Sequence, residues 1–200
     1  MQGLAELGLI DLYYLDESGF APTLPTGYTW ARKKVRPLVW DEPPQGRRLN
    51  VLGALAPCGD APGLVWTEPV GKLNSTAFLA FVWREVAGLP APPAQLPFGY
   101  QRARPCVAVL DNYSVHRSKE VQAAVPELER VGVGFYYLPP YSPELNRIEP
   151  LWRHVKHEEL PTRSYRTLDD LRVAVTGALS QHAVPLPATT DSTTNLPVAA

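Results

Sequence analysis

Apolar and polar residues alternate with two periods along this 200-residue chain, and the periods predict its elements. Leu9 to Asp16 is rich in aliphatic and aromatic residues, as strands are. Alternation by two places Ile10, Leu12, Tyr14 and Asp16 on one face. Asp16 is expected to close that strand, with Glu17-Ser-Gly19 as a turn. Tyr28–Ala31, Leu49–Ala56 and Gly63–Thr67 read as further strands, the last two joined by a turn at Cys58-Gly-Asp60. Asn74 is a helix cap, with Phe78, Leu79, Val82 and Val86 following at helical spacing. Residues 90–105 read as a long irregular loop. Cys106–Asp111 is apolar on both parities, the mark of a central strand covered on both faces, and Asp111 ends it. A helix then places Val121, Val125 and Leu128 on one face, with a kink or an end expected at Pro126. After a strand at Val133–Leu138, Ile148, Leu151, Trp152 and Val155 fall at i, i+3, i+4 and i+7 of another helix. Asn146 is its expected N-cap, with Glu149 at capping-box spacing. Thr167–Asp170 opens a last helix carrying Leu168, Leu171, Val175 and Leu179.

Strands in a meander, followed by alternating helices and strands, predict an α/β fold: one mixed sheet with helices on its faces. The domain is expected over residues 1–182. From Ala183 the chain turns to Pro, Thr, Ser and Ala with a single charge, so 183–200 is expected to be a disordered tail. Composition alters little of this. Apolar content of 45% and charged content of 20% are those of a globular protein. A net charge of −1 provides no bulk attraction to nucleic acid, so any DNA contact must come from local patches. Cys58 and Cys106 fit neither a disulfide framework nor a Cys-x-x-Cys metal site, and both are expected to be inert. No signal peptide and no membrane span is apparent, so a cytoplasmic protein is expected.

The chemistry lies in three acids. Asp16 and Asp111 end strands that a sheet of this order makes neighbours, and Glu149 opens a helix packed beside them. Two carboxylates about 4 Å apart repel by about 4 kcal/mol at an effective dielectric near 20. Three such pairs approach the whole stability of a domain, so the arrangement persists only if cations sit among the oxygens. That repulsion predicts that neutralising Asp111 leaves metal-free stability unchanged or raised. All-oxygen ligation, with no Cys and no evident His pair nearby, favours Mg²⁺ or Mn²⁺. Two such ions carry out phosphodiester chemistry by activating a water or 3′-hydroxyl and stabilising the leaving oxygen.

Four stretches, in order, resemble the DDE transposases of the mariner superfamily, in their bacterial insertion-sequence branch. They are Leu15-Asp-Glu-Ser-Gly-Phe20, Thr29-Trp-Ala-Arg32, Leu110-Asp-Asn-Tyr-Ser-Val-His116 and Leu138-Pro-Pro-Tyr-Ser-Pro-Glu-Leu-Asn-Arg-Ile-Glu-Pro-Leu-Trp152. The resemblance runs from about residue 9 to 181. It implies a ribonuclease H-like fold with a five-stranded sheet, a catalytic and metal-binding triad of Asp16, Asp111 and Glu149, and two Mg²⁺ or Mn²⁺ ions. The 37 residues between Asp111 and Glu149 fit the looser bacterial spacing. It also implies cleavage at transposon terminal repeats, transfer into TA-containing target DNA, and a homodimer. Two departures stand out. Where the family reads Asn-Pro-Ile-Glu, this chain has Asn146-Arg-Ile-Glu149-Pro150, which is expected to shift the helix start and the aim of the carboxylate. The first strand also begins within ten residues of Met1. The family's N-terminal helix-turn-helix domains are therefore expected to be absent, and either supplied by a separately encoded subunit or lost from a remnant.

Auxiliary candidates surround the triad. Asn112 is read either as a ligand of a metal-bound water or phosphate, or as a turn residue. The resemblance gives His116 the role of contacting the scissile phosphate or orienting Asp111. Glu17 and Glu144 are rival acids, with solvated roles expected for both. Arg32, Lys33, Lys34 and Arg36 form a basic cluster that reads as a grip on DNA phosphates or as a solvated loop. Arg153 and Lys156 share the Glu149 side of their helix and are further DNA candidates. Tyr141, on the proline-rich turn, is the aromatic expected to stack on a base, whereas Trp152 belongs to the core. Two other functions stay open: a ribonuclease H-like nuclease without strand transfer, and a catalytically silent fragment acting by association.

Overall fold

The computed structural model describes residues 1–22, 32–35, 48–69, 73–160 and 165–183. The strand expected at Tyr28–Ala31, the candidate Arg36 and all but Ala183 of the expected tail lie outside these. Five strands form one sheet in the order β3-β2-β1-β4-β5. They are β1 (Asp11–Phe20), β2 (Leu49–Ala56), β3 (Gly63–Thr67), β4 (Cys106–Leu110) and β5 (Val133–Tyr137). The meander β1-β2-β3 is antiparallel, and β4 and β5 add to β1 in parallel. Parallel addition requires crossovers. α2 (Ser75–Phe81, continued by a wider turn at Val82–Val86) lies between β3 and β4, and α3 (Lys119–Arg130) joins β4 to β5. Preceding β1 is a short helix, α1 (Gln2–Glu6), which the apolar pattern does not reveal. After β5 come α4 (Ile148–His154, continued by a wide turn at Val155–Glu159) and α5 (Leu168–Ser180).

Strand parity sorts the core into two layers. Leu12, Tyr14, Phe20, Val51 and Val109 pack against Ile148, Trp152 and Val155, and against Leu171, Val175 and Leu179 of α5. On the other face Leu15, Leu52, Ala54, Cys106, Ala108 and Leu110 pack against Phe78, Phe81 and Val82 of α2 and Val121 and Leu128 of α3. Each large apolar side chain buried in this way contributes roughly 1.5–3 kcal/mol. β4 supplies both layers, as its unbroken apolar run predicts. Burial pushes the Cys106 thiol up to about 12, and Cys106 and Cys58 are both free.

Three local expectations are corrected. β1 does not end at Asp16. It continues to Phe20, because β2 pairs with it all the way, from Tyr14 opposite Leu55 to Phe20 opposite Leu49. α3 does not stop at Pro126 but runs on to Arg130. The bond lost there is to the carbonyl of Gln122, an exposed residue whose oxygen water can serve. The capping box falls on α5, where Thr167 and Asp170 exchange bonds, and not on α4. α4 begins at Ile148 without a side-chain cap, and Pro150 fits its first turn, where the missing N–H would have no intrahelical partner.

Candidate active site

The ladder between β1 and β4 runs only from Asp11 opposite Cys106 to Tyr14 opposite Val109. Carried two residues further, the same register sets Asp16 level with Asp111, just where the strands part. A cleft of about 420 Å³ opens there, and Asp16, Asp111 and Glu149 all line it. Its other walls include Asn112, Tyr113, Asn146 and the proline-rich turn Pro139–Pro143. The sequence-predicted triad is thus brought together. It is not a tight cage, since among the described residues the one trio of His, Cys, Asp or Glu donors mutually within 4.8 Å lies elsewhere, at the far end of α4.

The three acids sit in different electrostatic settings. Burial pushes the Asp16 carboxyl up to about 7, with the charges of Glu149, Glu17 and Asp111 adding to the rise and the Glu17 amide offsetting part of it. Asp111 is held below the usual carboxylate range, first by its bond from His116 and also by one from the Tyr113 amide. The like-charge strain expected of the cluster therefore falls on Asp16. Asp111 already has a compensating partner in His116, which sets an attraction against the repulsion expected among the acids.

His116 is fully buried behind Asp111, its ring tilted against Phe78 at 4.6 Å between centroids. Nδ1 lies 2.9 Å from Asp111 Oδ1 and Nε2 lies 3.2 Å from Glu17 Oε1. Burial works against charge on the ring, but the bonds to Asp111 and Glu17 outweigh it and hold the imidazole up at about 9. With a carboxylate at each nitrogen, the ring is placed to donate from both when it is charged. Its ring anchors the Asp111 carboxylate from behind. The Nε2 contact also corrects the reading of Glu17 as solvated: parity does turn Glu17 away from Asp16, but onto the face where His116 lies.

Asn146 is the cleft residue that local sequence logic misassigns. Buried to 2% exposure, its Nδ2 donates to the Leu15 carbonyl at 3.0 Å, latching the α4 approach to the strand beside Asp16. The bond spans 131 positions of sequence, which no spacing rule could reveal. Its backbone carbonyl accepts from the Glu149 amide at 3.1 Å, so the latch reaches the third acid directly. Asn112 uses both ends of its amide, donating to Leu138 O at 2.6 Å and accepting from Arg117. It braces the exits of β4 and β5.

The DNA candidates divide by position. Tyr141 is wholly exposed on the cleft rim, with its backbone in the left-handed region (φ 57°), a strain that a non-glycine residue rarely carries. Lys156 is half-buried over the Phe20 ring at 5.4 Å. Burial and then the Arg48 charge lower its pKa, against the pull of Glu149 and Asp16. Arg153 is exposed on α4 and does not line the cleft. Arg32, Lys33 and Lys34 are exposed and likewise not part of it. Trp152 is core, edge-on to Phe20 at 6.4 Å.

Residues 11–172 match the family described as DDE superfamily endonuclease. An insertion element IS630 uncharacterized 39 kDa protein of Shigella sonnei is 39% identical over 54 residues, 27% of this chain and 15% of that protein. Among solved structures, a Mos1 transposase paired-end complex with left transposon end superposes with a TM-score of 0.58 at 14% identity, over 86% of this chain and 48% of that one. A Mos1 mariner paired-end complex with Mn gives 0.53 at 13% identity, over 86% and 49%. The chain thus spans about half the length of these Mos1 chains, and the likeness is one of fold. With the family match extending over most of its length and Asp16, Asp111 and Glu149 sharing one cleft, this chain belongs to the DDE superfamily endonucleases.

Proposed function

We propose that this chain is the catalytic domain of a transposase, which cuts DNA at the ends of its element with divalent metal ions and joins the freed 3′ ends to target DNA. The observation that carries this reading is the convergence of Asp16, Asp111 and Glu149 on one cleft at the parting of two parallel strands. The residues fit a cation: none of the three acids pairs with a Lys or Arg among the described residues, and Asp16 is strained by its neighbours' charge. All three acids would be ligands in this proposal, to two ions on the family resemblance. When bound, Mg²⁺ or Mn²⁺ supplies Lewis-acid activation of the phosphodiester and of the group attacking it. The protein supplies the rest. His116 fixes the aim of Asp111, and Asn146 fixes the start of α4 and so Glu149.

DNA would enter along the rim formed by Tyr141, with Arg153 and Lys156 from α4, Arg32 to Lys34, and Arg36 as phosphate contacts. The Mos1 complexes with a transposon end and with Mn support DNA and a divalent ion as partners. Terminal-repeat and TA specificity, a homodimer, and a separately encoded helix-turn-helix subunit belong to the same proposal, on the family resemblance. So does a catalytic domain over residues 1–182, as well as action in the cytoplasm at the nucleoid. No helix among the described residues is long and apolar enough to cross a membrane. The test is purified protein with Mn²⁺ and a duplex bearing the element's terminal repeat. Strand-transfer product is the expected result. Hydrolysis alone would make the chain a nuclease without transfer, and no product from folded protein would make it a silent fragment.

A further inference from the structure

At the end of α4 opposite Glu149, His154, Glu159 and His182 bring one donor atom each to within 4.8 Å of one another. His182 Nε2 lies 2.6 Å and His154 Nε2 3.1 Å from the same oxygen, Glu159 Oε1. The other oxygen, Oε2, is buried with no hydrogen-bond partner. An ordinary ion-pair network leaves no reason for a buried carboxylate oxygen to go unserved, at a cost of about 1–3 kcal/mol. His154 turns its second nitrogen, Nδ1, to Glu158 at 3.0 Å. A carboxylate on the far nitrogen of an imidazole is the usual support of a metal-bound histidine, fixing its tautomer and raising its basicity.

The backbone is shaped for this grouping. In an α-helix residue i+5 faces away from residue i. After His154 the chain widens into i→i+5 winding, closed by Leu160 N to Val155 O at 3.0 Å, and this brings Glu159 back under His154 while Glu158 remains beside it. His182 is fixed independently. Its amide bonds to Leu179 O at the end of α5, and its carbonyl accepts from Leu64 of β3 at 2.7 Å.

We propose that His154, Glu159 and His182 form a Zn²⁺ site, separate from the carboxylate cleft, that ties the end of α4 to α5. Two imidazoles and a carboxylate select Zn²⁺ over Mg²⁺, with water completing the tetrahedron from the solvent side, where His154 is 44% exposed. Ligand bonds of about 2.0–2.1 Å place tetrahedral donors about 3.3 Å apart, so each histidine needs to retreat from Glu159 Oε1 by less than 1 Å. The zinc braces the helix that carries Glu149, from about 7.5 Å along its axis.

The test is titration of the chelator-stripped full chain with Co²⁺, read by the visible absorption of four-coordinate cobalt. One equivalent should saturate the signal, Zn²⁺ should abolish it, and millimolar Mg²⁺ should not. A Zn²⁺ concentration about a hundredfold above Kd should raise Tm by roughly 5–10 °C. Glu159→Gln and His182→Gln should abolish the spectrum. Glu158→Gln, on an exposed residue, should weaken binding roughly 10- to 100-fold without unfolding the chain. Asp16→Asn should leave the spectrum intact. A spectrum that survives His182→Gln in protein folded by circular dichroism, that disappears in Asp16→Asn, that ignores Glu158→Gln, or that never forms would overturn the proposal.

Discussion

Replacing Gly53 by alanine adds one methyl group where the sheet and α4 are in closest contact. Gly53 lies between Asp16 on β1 and Trp66 on β3. A Cβ built there falls 2.5 and 2.6 Å from Cζ2 and Cη2 of Trp152 and 3.0 Å from Cδ1 of Ile148. Ordinary contact begins at 3.4 Å, so the indole must retreat by about 1 Å. It has little freedom to do so, being 2% exposed and edge-on to Phe20. Overpacking of this kind costs about 1–3 kcal/mol, a fall in Tm of roughly 2–12 °C for a chain of this length. Ile148 and Trp152 flank Glu149 on α4, so whatever moves them moves the third acid. A displacement near 1 Å in a catalytic group costs about a hundredfold in rate. Cleavage of a duplex with Mn²⁺, followed at a temperature where the variant is fully folded, separates the two effects. Gly134→Ala on β5 is the control, since its added Cβ meets nothing within 4 Å and should be neutral or stabilise by about 0.4–1 kcal/mol. Gly53→Ala with unchanged Tm and unchanged cleavage would refute the claim that sheet and α4 are in contact too close for a side chain.

Further expectations follow from the same geometry. Asp16 holds its proton to about pH 7 when folded and loses it near 3.8 when unfolded, so metal-free stability should fall as pH rises through that interval, by roughly 2–4 kcal/mol. Asp16→Asn should flatten this part of a Tm–pH profile while abolishing cleavage. The folded pKa of His116 near 9 exceeds its ordinary 6.5, so its stabilisation is complete below 6.5 and lost as pH climbs through 9. His116→Gln should remove that upper decline. Asp111→Asn should abolish cleavage and also lower metal-free Tm at pH 7, because it deprives a buried imidazolium of a charged partner; a Tm equal to wild type would contradict the pairing. Asn146→Ala should lower the urea midpoint by the equivalent of about 1–3 kcal/mol and slow cleavage beyond that, and a stability loss with full activity would remove the latch from the mechanism. Tyr141→Gly should relieve the left-handed backbone and leave Tm equal or higher, while DNA affinity falls by the roughly 1–3 kcal/mol of a lost stacking contact, as measured by fluorescence anisotropy.

What the sequence shows and what it hides divide along a physical line. Cys106–Leu110 is legible because a strand covered on both faces needs apolar residues at every position, and no partner has to be known to see it. The helical stripe of Ile148, Trp152 and Val155 is legible for the same reason. Glu17, Ser18 and Gly19 imitate a turn, because their strand character depends on β2 alongside and on His116 across 99 positions. Asn146 and Glu149 have the spacing of a capping box, yet the Asn146 side chain is drawn off to Leu15. The wide turn after His154 leaves no mark in apolar periodicity, since only Val155 of its residues is buried. Polar residues take their roles from distant partners, so the three acids and His116 were visible through their motifs, whereas the contacts of Glu17 and Asn146 became visible only in the fold.

β1 remains zipped to β2 along its far half after its ladder to β4 has stopped at Tyr14. The sheet therefore forks, and the acids occupy the crotch of the fork. Each prong leads into a different length of chain: residues 21–48 before β2, and residues 111–118, with Asp111 and His116 among them, before α3. The first of these can change its side chains without disturbing the ladder that sets Asp16 level with Asp111, whereas the second carries part of the site itself. A scaffold of this kind lets recognition diverge rapidly while the chemistry stays fixed, because the two depend on different sides of a branch point.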